Sequence, residues 1–254
     1  MQPPPISRAE IEARLAPHLH ELLALWWAEQ GASKPRDLAL IAAALSLPPD
    51  QPVRVLDLCC GPGDVGRAIR EQYRKAEIDG VDRDPFLASL CAAVNRRDLV
   101  PGRIVVADLK EPGWRDDLSS AYDAVATVNA LHWFEIPSAV RLLREVRALL
   151  RPGGVFILAE PVASEAPFAA GVAAWTSRQL PRYARAAWEQ FWSRANEVLG
   201  YDHLSLLGPR PTDNIGDGLT TLGWTRLLRD AGFDLTDVLL RDADQVIIAA
   251  LESG

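Results

Sequence analysis

A chain of 254 residues with 48% hydrophobic and 24% charged residues is large and apolar enough for one α/β domain with an added cap, or at most two small domains, and excludes a disordered protein. The formal charge of -7 disfavours a nucleic-acid partner, which would favour a basic surface. Cys59, Cys60 and Cys91 have neither metal-ligand spacing nor the even count of a disulfide framework, so reduced thiols are expected.

In chain order, Ser7 caps a helix from about Arg8, with Glu10 three residues on and Leu15, Leu19, Leu22, Leu23 and Trp26 at helical spacing. A second helix is predicted near 35–45, and the proline-rich stretch 48–52 marks the joint to the first strand. Strands near 53–59, 78–82, 103–107, 122–128 and 154–160 then alternate with helices, the pattern of a parallel doubly wound sheet. Beyond residue 160 come two helical stretches split near Pro181 and a polar, glycine-rich segment at 208–218. A helix at 220–230 and strands at 233–240 and 245–251 close the chain. Trp188, Phe191, Trp192, Ala195 and Leu199 share one helical face, read as a core stripe packed on the sheet. His18 and His20 read as half-exposed, His203 as a loop residue, and Asp79 as a solvent-facing strand start.

The segment 53–69, VRVLDLCCGPGDVGRAI, combines a buried strand, a glycine turn and a helix start. Gly61, Gly63 and Gly66 satisfy G-x-G-x-x-G, and Asp82 lies 19 residues beyond Gly63, near the spacing of a ribose-binding acid. Asp57, inside the strand, discriminates between cofactors. A negative charge there opposes a pyrophosphate and suits a cationic amino-acid cofactor.

VLDLCCGPG at 55–63 resembles the first motif of the class I S-adenosylmethionine (SAM) dependent methyltransferases. IDGVDRDP at 78–85, IVVADL at 104–109, YDAVATVNALHWF at 122–134 and LLRPGGVFILAE at 149–160 resemble four further segments of that family in order. The resemblance implies a Rossmann-like, doubly wound α/β fold with a seven-stranded sheet, an antiparallel last strand and a helical cap. It divides the chain into an N-terminal helical cap (1–50), a SAM-binding core (51–160), a helical insertion acting as substrate lid (161–219), and a C-terminal helix with the closing strand pair (220–254).

By the same resemblance Asp57, Cys59, Gly61 and Gly63 form the methionine end of the cofactor site. Asp82 takes the ribose hydroxyls with Arg83 beside it, Asp108 and Leu109 meet the adenine, and Asn129 touches the methionine part. Cys59 departs from the glycine often found at that position in the family. The expected reaction is methyl transfer from SAM to a small molecule, with O- or C-methylation favoured and S-adenosylhomocysteine (SAH) released. A non-methylating elimination or rearrangement on the same cofactor, and an NAD-dependent oxidoreductase, are the alternatives. His132, in the loop after the fourth strand, is the candidate base or substrate anchor, with Trp26, Trp133, Trp175 and Tyr183 as candidate substrate contacts. The segment 122–134 lacks the clustered Asp and Asn ligands of a metal-dependent enzyme, so no metal is expected. No apolar run spans a membrane and no secretion signal opens the sequence, so a cytoplasmic monomer or homodimer is expected, with no nucleic-acid or membrane partner.

Overall fold

The computed structural model describes residues 4–29, 34–118, 121–163, 171–172, 174, 175, 178, 185–207, 214–216, 218–242 and 245–251. Helix α1 (Arg8–Leu15) starts at a reciprocal cap: the Ser7 hydroxyl accepts from the Glu10 amide, and Glu10 accepts from the Ser7 amide. Pro17 then ends the regular hydrogen bonding. The single amphipathic run therefore divides into α1, one 3-10 turn (Ala16–His18) and α2 (Leu19–Glu29). Helix α3 (Lys34–Ala43) comes next.

The core alternates β1 (Arg54–Leu58), α4 (Asp64–Gln72), β2 (Glu77–Asp82), α5 (Pro85–Arg97), β3 (Ile104–Val106), β4 (Tyr122–Val128), α6 (Ile136–Leu149) and β5 (Leu150–Pro161). A cap helix (Arg185–Leu199), a one-turn helix (Leu204–Leu207) and a closing helix (Thr221–Asp230) precede β6 (Leu235–Arg241) and β7 (Gln245–Leu251). The seven strands lie in the order β3-β2-β1-β4-β5-β7-β6. Strands β1 to β5 pair in parallel, and β7 runs antiparallel to both β5 and β6. This is the predicted Rossmann-like sheet with its antiparallel last strand.

Two apolar layers sandwich the sheet. Leu56, Leu58, Leu142, Phe156 and Trp224 belong to one, and Val53, Val55, Ile69, Ile157 and α3's Leu38 and Ile41 to the other. A third cluster stands apart from the sheet: Phe191, Trp192, Ala195 and Leu199 of the cap helix pack on Ile11, Leu15 and Leu22 of α1 and α2 and on Phe86 and Leu90 of α5. Four of the five stripe residues are thus core as predicted, but their partners are helices instead of the sheet, and Trp188, the fifth, is exposed outside the core. The chain reverses its direction of winding between β1 and β4, which neighbour each other, so the crevice at their carboxyl ends is where such a fold admits a ligand. Asp79 is buried instead of facing solvent, because its two oxygens accept from the Arg103 amide (2.7 Å) and the Tyr122 hydroxyl (2.6 Å).

Candidate active site

A cavity of about 380 Å³ opens at that crevice. On the β2 and β3 side it is lined by Asp82, Arg83, Asp108 and Leu109; below β1 by Asp57, Cys59 and Gly61; and on the β4 and β7 side by Asn129, His132, Trp133 and Gln245. Trp26, Lys34, Asp37 and Trp188 line it from α2, α3 and the cap helix. The structure therefore brings together most of the residues singled out in the sequence. Gly63 is not among the lining residues; with φ of +92° it begins α4, and a Cβ there would meet the Cys91 sulfur at 2.9 Å. Trp175 is 58% exposed and does not line the cavity, so its indole is turned to solvent. Tyr183 lies outside the described residues.

Asp82 ends β2 and bridges two loops. Its Oδ1 accepts from the Asp84 amide and its Oδ2 from the Gly61 amide, both at 2.9 Å. Burial raises its carboxyl to about 6; the Asp84 charge adds to this, and the two amides and Arg83 oppose it. Asp57 is buried in β1, and its Oδ2 has no protein partner among the described residues. Burial first, then the charges of Asp64 and Asp82, push its carboxyl well above the usual range. Asp64, at the start of α4, accepts from the indoles of Trp26 (2.8 Å) and Trp27 (3.1 Å). These bonds tie α2 over the glycine turn, where Trp26 comes within 3.8 Å of a Cβ built on Gly61. Two acids below the turn and one at the end of β2 make a site suited to a ligand with cationic and hydroxyl groups.

Cys59 holds a φ of +56° and Asn129 one of +54°, the left-handed region that asparagine tolerates and cysteine does not favour. Burial, then the charges of Asp82 and Glu160, raise the Cys59 thiol well above its ordinary value, so it is a neutral thiol and not a nucleophile.

On the other side, Glu160 ends the apolar run of β5 fully buried. Its Oε1 accepts from the amides of Ala130 (2.8 Å) and Leu131 (2.7 Å), and its Oε2 lies 2.8 Å from His132 Nδ1. A carboxylate can only accept, so His132 Nδ1 donates its proton to Glu160, and whenever the ring is neutral Nε2 is left to accept. Among the described residues Nε2 has no protein partner. Sequence reasoning does not single out Glu160, Gln245, Asp64, Lys34 or Asp37. The signal for Glu160 is an acid ending a strand of otherwise apolar residues, VFILAE, which a buried strand end tolerates only when the charge is satisfied.

A family model described as a methyltransferase domain matches residues 55–154. Residues 55–154 carry a methyltransferase domain. Trans-aconitate 2-methyltransferase from Streptomyces avermitilis is 31% identical over 128 residues, covering 50% of this chain and 46% of that protein. Malonyl-[acyl-carrier protein] O-methyltransferase from Halorhodospira halophila is 39% identical over 100 residues, covering 38% and 32%. The chain thus spans about a third to a half of the length of these curated relatives. Human N-acetylserotonin methyltransferase, solved in complex with SAM, aligns over 93% of this chain and 56% of that one with a TM-score of 0.56 and 15% identity, a likeness of fold. The methyltransferase domain accounts for β1 to the start of β5; the cap helix and the closing strands lie outside the matched residues.

Proposed function

We infer that the protein transfers a methyl group from SAM to a small molecule whose accepting atom carries a proton, an O–H or an acidified C–H. The observation that carries this reading is the His132–Glu160 pair on the wall of a cavity whose other side holds Asp82 and Asp108. Asp82 would take the ribose hydroxyls, and Asp57 and Asp64 would face the ammonium and sulfonium of the methionine part. Asn129, Gly61 and Cys59 would bound that part, and Asp108 and Leu109 the adenine. The partnerless Asp57 Oδ2 supports the fit, since a buried acceptor wants a donor.

When bound, SAM supplies an already activated methyl group, so the protein's work is orientation, exclusion of water and removal of one proton. Glu160 holds the His132 tautomer, and Nε2 receives the acceptor's proton. Trp26, Trp133 and Trp188 shield the place from water, while Trp133 and Trp188, 39% and 38% exposed, stand where the acceptor enters.

The relatives favour a second reading. The two curated names describe methylation of trans-aconitate and of a malonyl group on a carrier protein, and a carboxylate acceptor needs no base. A screen with methyl-labelled SAM against phenols, alcohols and carboxylic acids separates the readings. On the proton-bearing acceptor, His132→Ala should lower kcat about 100- to 10,000-fold and leave SAH affinity unchanged. Turnover of carboxylates alone, indifferent to His132, would establish the second reading.

A further inference from the structure

The residue after the cap helix that most resists a purely local explanation is His203. It is 1% exposed and lies 119 positions from the acid it contacts: its Nε2 stands 2.9 and 2.8 Å from the two oxygens of Asp84. Its ring stacks on Trp192 of the cap helix, with centroids 5.7 Å apart and planes 5° from parallel, and its backbone amide donates to Asn196 at 2.9 Å. Asp84 in turn starts α5, its Oδ1 accepting from the Phe86 amide at 2.9 Å. A carboxylate can only accept, so with Asp84 in that form the His203 Nε2–H is donated to it.

Asp84 is joined to the cofactor side of the cavity through its own amide, which donates to Asp82 Oδ1, while Asp82 Oδ2 accepts from Gly61. A chain of hydrogen bonds thus runs from the cap through His203, Asp84 and Asp82 to the glycine turn. A buried aspartate left without its histidine would either take up a proton or turn toward water, and both would move the amide that orients Asp82.

We propose that His203 is a positioning residue for the cofactor acid: by fixing Asp84 it sets the rotamer in which the Asp82 carboxylate meets the ribose. The proposal rests on the reading of Asp82 as the ribose acid. A buried hydrogen bond that only held the cap in place would stabilise the protein without touching cofactor affinity, and this difference is measurable.

The test compares His203→Phe, which keeps the stacked ring and loses the donor, with His203→Gln, which keeps a donor, and with Leu199→Ala, which removes buried cap packing alone. SAH affinity by calorimetry and amide exchange of the ligand-free protein are read on each. His203→Phe should weaken SAH binding at least tenfold and speed exchange at the Gly61 and Asp84 amides. His203→Gln should bind within about threefold of the parent, and Leu199→Ala should lower Tm with neither effect. Parental affinity and exchange in His203→Phe, or equal losses in Leu199→Ala, overturn the proposal. If His203→Phe does not fold, Asp84→Asn decides: it keeps an acceptor for the Phe86 amide and loses the charge that His203 meets, and unchanged SAH affinity there overturns the proposal. A parent that binds no SAH would instead remove the ribose reading, while the exchange comparison in ligand-free protein would still decide the positioning.

Discussion

At the scale of single residues, Asp82 and Cys59 each stand in a state that their neighbours impose. Asp82 titrates near 6 because it is buried, against an ordinary value of 3.8. Raising the folded value favours the neutral acid. Its stabilising contribution to the ligand-free protein is therefore full below 3.8 and is lost as pH rises through about 6. A ribose diol, which donates, wants the opposite state. SAH affinity should therefore be flat above about pH 7 and fall about tenfold per unit below about 6, with a proton released on binding in the acid range. Calorimetry from about pH 5 to 8 measures it, and Asp82→Asn should weaken binding by about 1–3 kcal/mol and flatten the profile; an unchanged slope in that variant would sink the assignment.

Cys59 occupies a left-handed conformation that costs a non-glycine residue about 1–2 kcal/mol. Glycine would relieve the strain but would add about 0.4–1 kcal/mol of unfolded-chain entropy and lose the contacts of a half-buried thiol. The opposing effects nearly cancel, so Cys59→Gly should unfold within about 1 kcal/mol of the parent. Cys59→Val, whose branched Cβ suits that region least, should lose about 2 kcal/mol or more in denaturant titration. Equal stability of the two variants would mean the turn is not left-handed in solution.

At the scale of elements, the ends of strands carry the chemistry, and each end is held by a device of different visibility. The end of β1 is legible in the sequence because a run of buried residues followed by Gly61-Pro62-Gly63 can only be a tight turn into a helix. The ends of β2 and β3 are legible because an acid closes each apolar run. The end of β5 is not: Glu160 reads as part of the strand, since what it satisfies, the amides of Ala130 and Leu131, becomes visible only when β4 lies beside β5. His203 is opaque for the same reason at longer range, as the contact with Asp84 needs the cap helix seated on α1 and α2. The break of the first helix is written in Pro17, but the apolar spacing across it is continuous and outweighs it. Trp175 is put at the pocket by its place in the segment expected to roof the strand ends, and that place says nothing of the direction in which an indole points. The β4–β5 device yields its own prediction. Glu160→Ala leaves two buried amides without an acceptor and should cost about 2–4 kcal/mol by thermal denaturation, whereas Glu160→Gln keeps one acceptor for them and should cost less than half as much. Near-parental stability of the alanine variant would show that water reaches these amides and that His132 is not held from below.

At the scale of the whole molecule, the cavity lies between two bodies of apolar packing. One is the sheet with its two flanking layers; the other is the cluster of α1, α2, α5 and the cap helix. The indole bonds of Trp26 and Trp27 to Asp64 are ties between them. A ligand in the cavity touches α2 and the cap helix of one body and β1, β2, β4 and α3 of the other, so it adds its binding energy to the joint between the bodies. Because it binds only the folded chain, SAH at about one hundred times its Kd should stabilise by about 2.7 kcal/mol. For a domain of this size that corresponds to a rise in Tm of about 5–11 °C. NAD carries a pyrophosphate where Asp57 and Asp64 stand, and at the same concentration it should leave Tm unchanged. Scanning calorimetry with each ligand distinguishes the outcomes. A rise with NAD and none with SAH would mean that the acids under the glycine turn are neutralised and serve a nicotinamide cofactor, and the reading of His132 as a base for methyl transfer would fall with them.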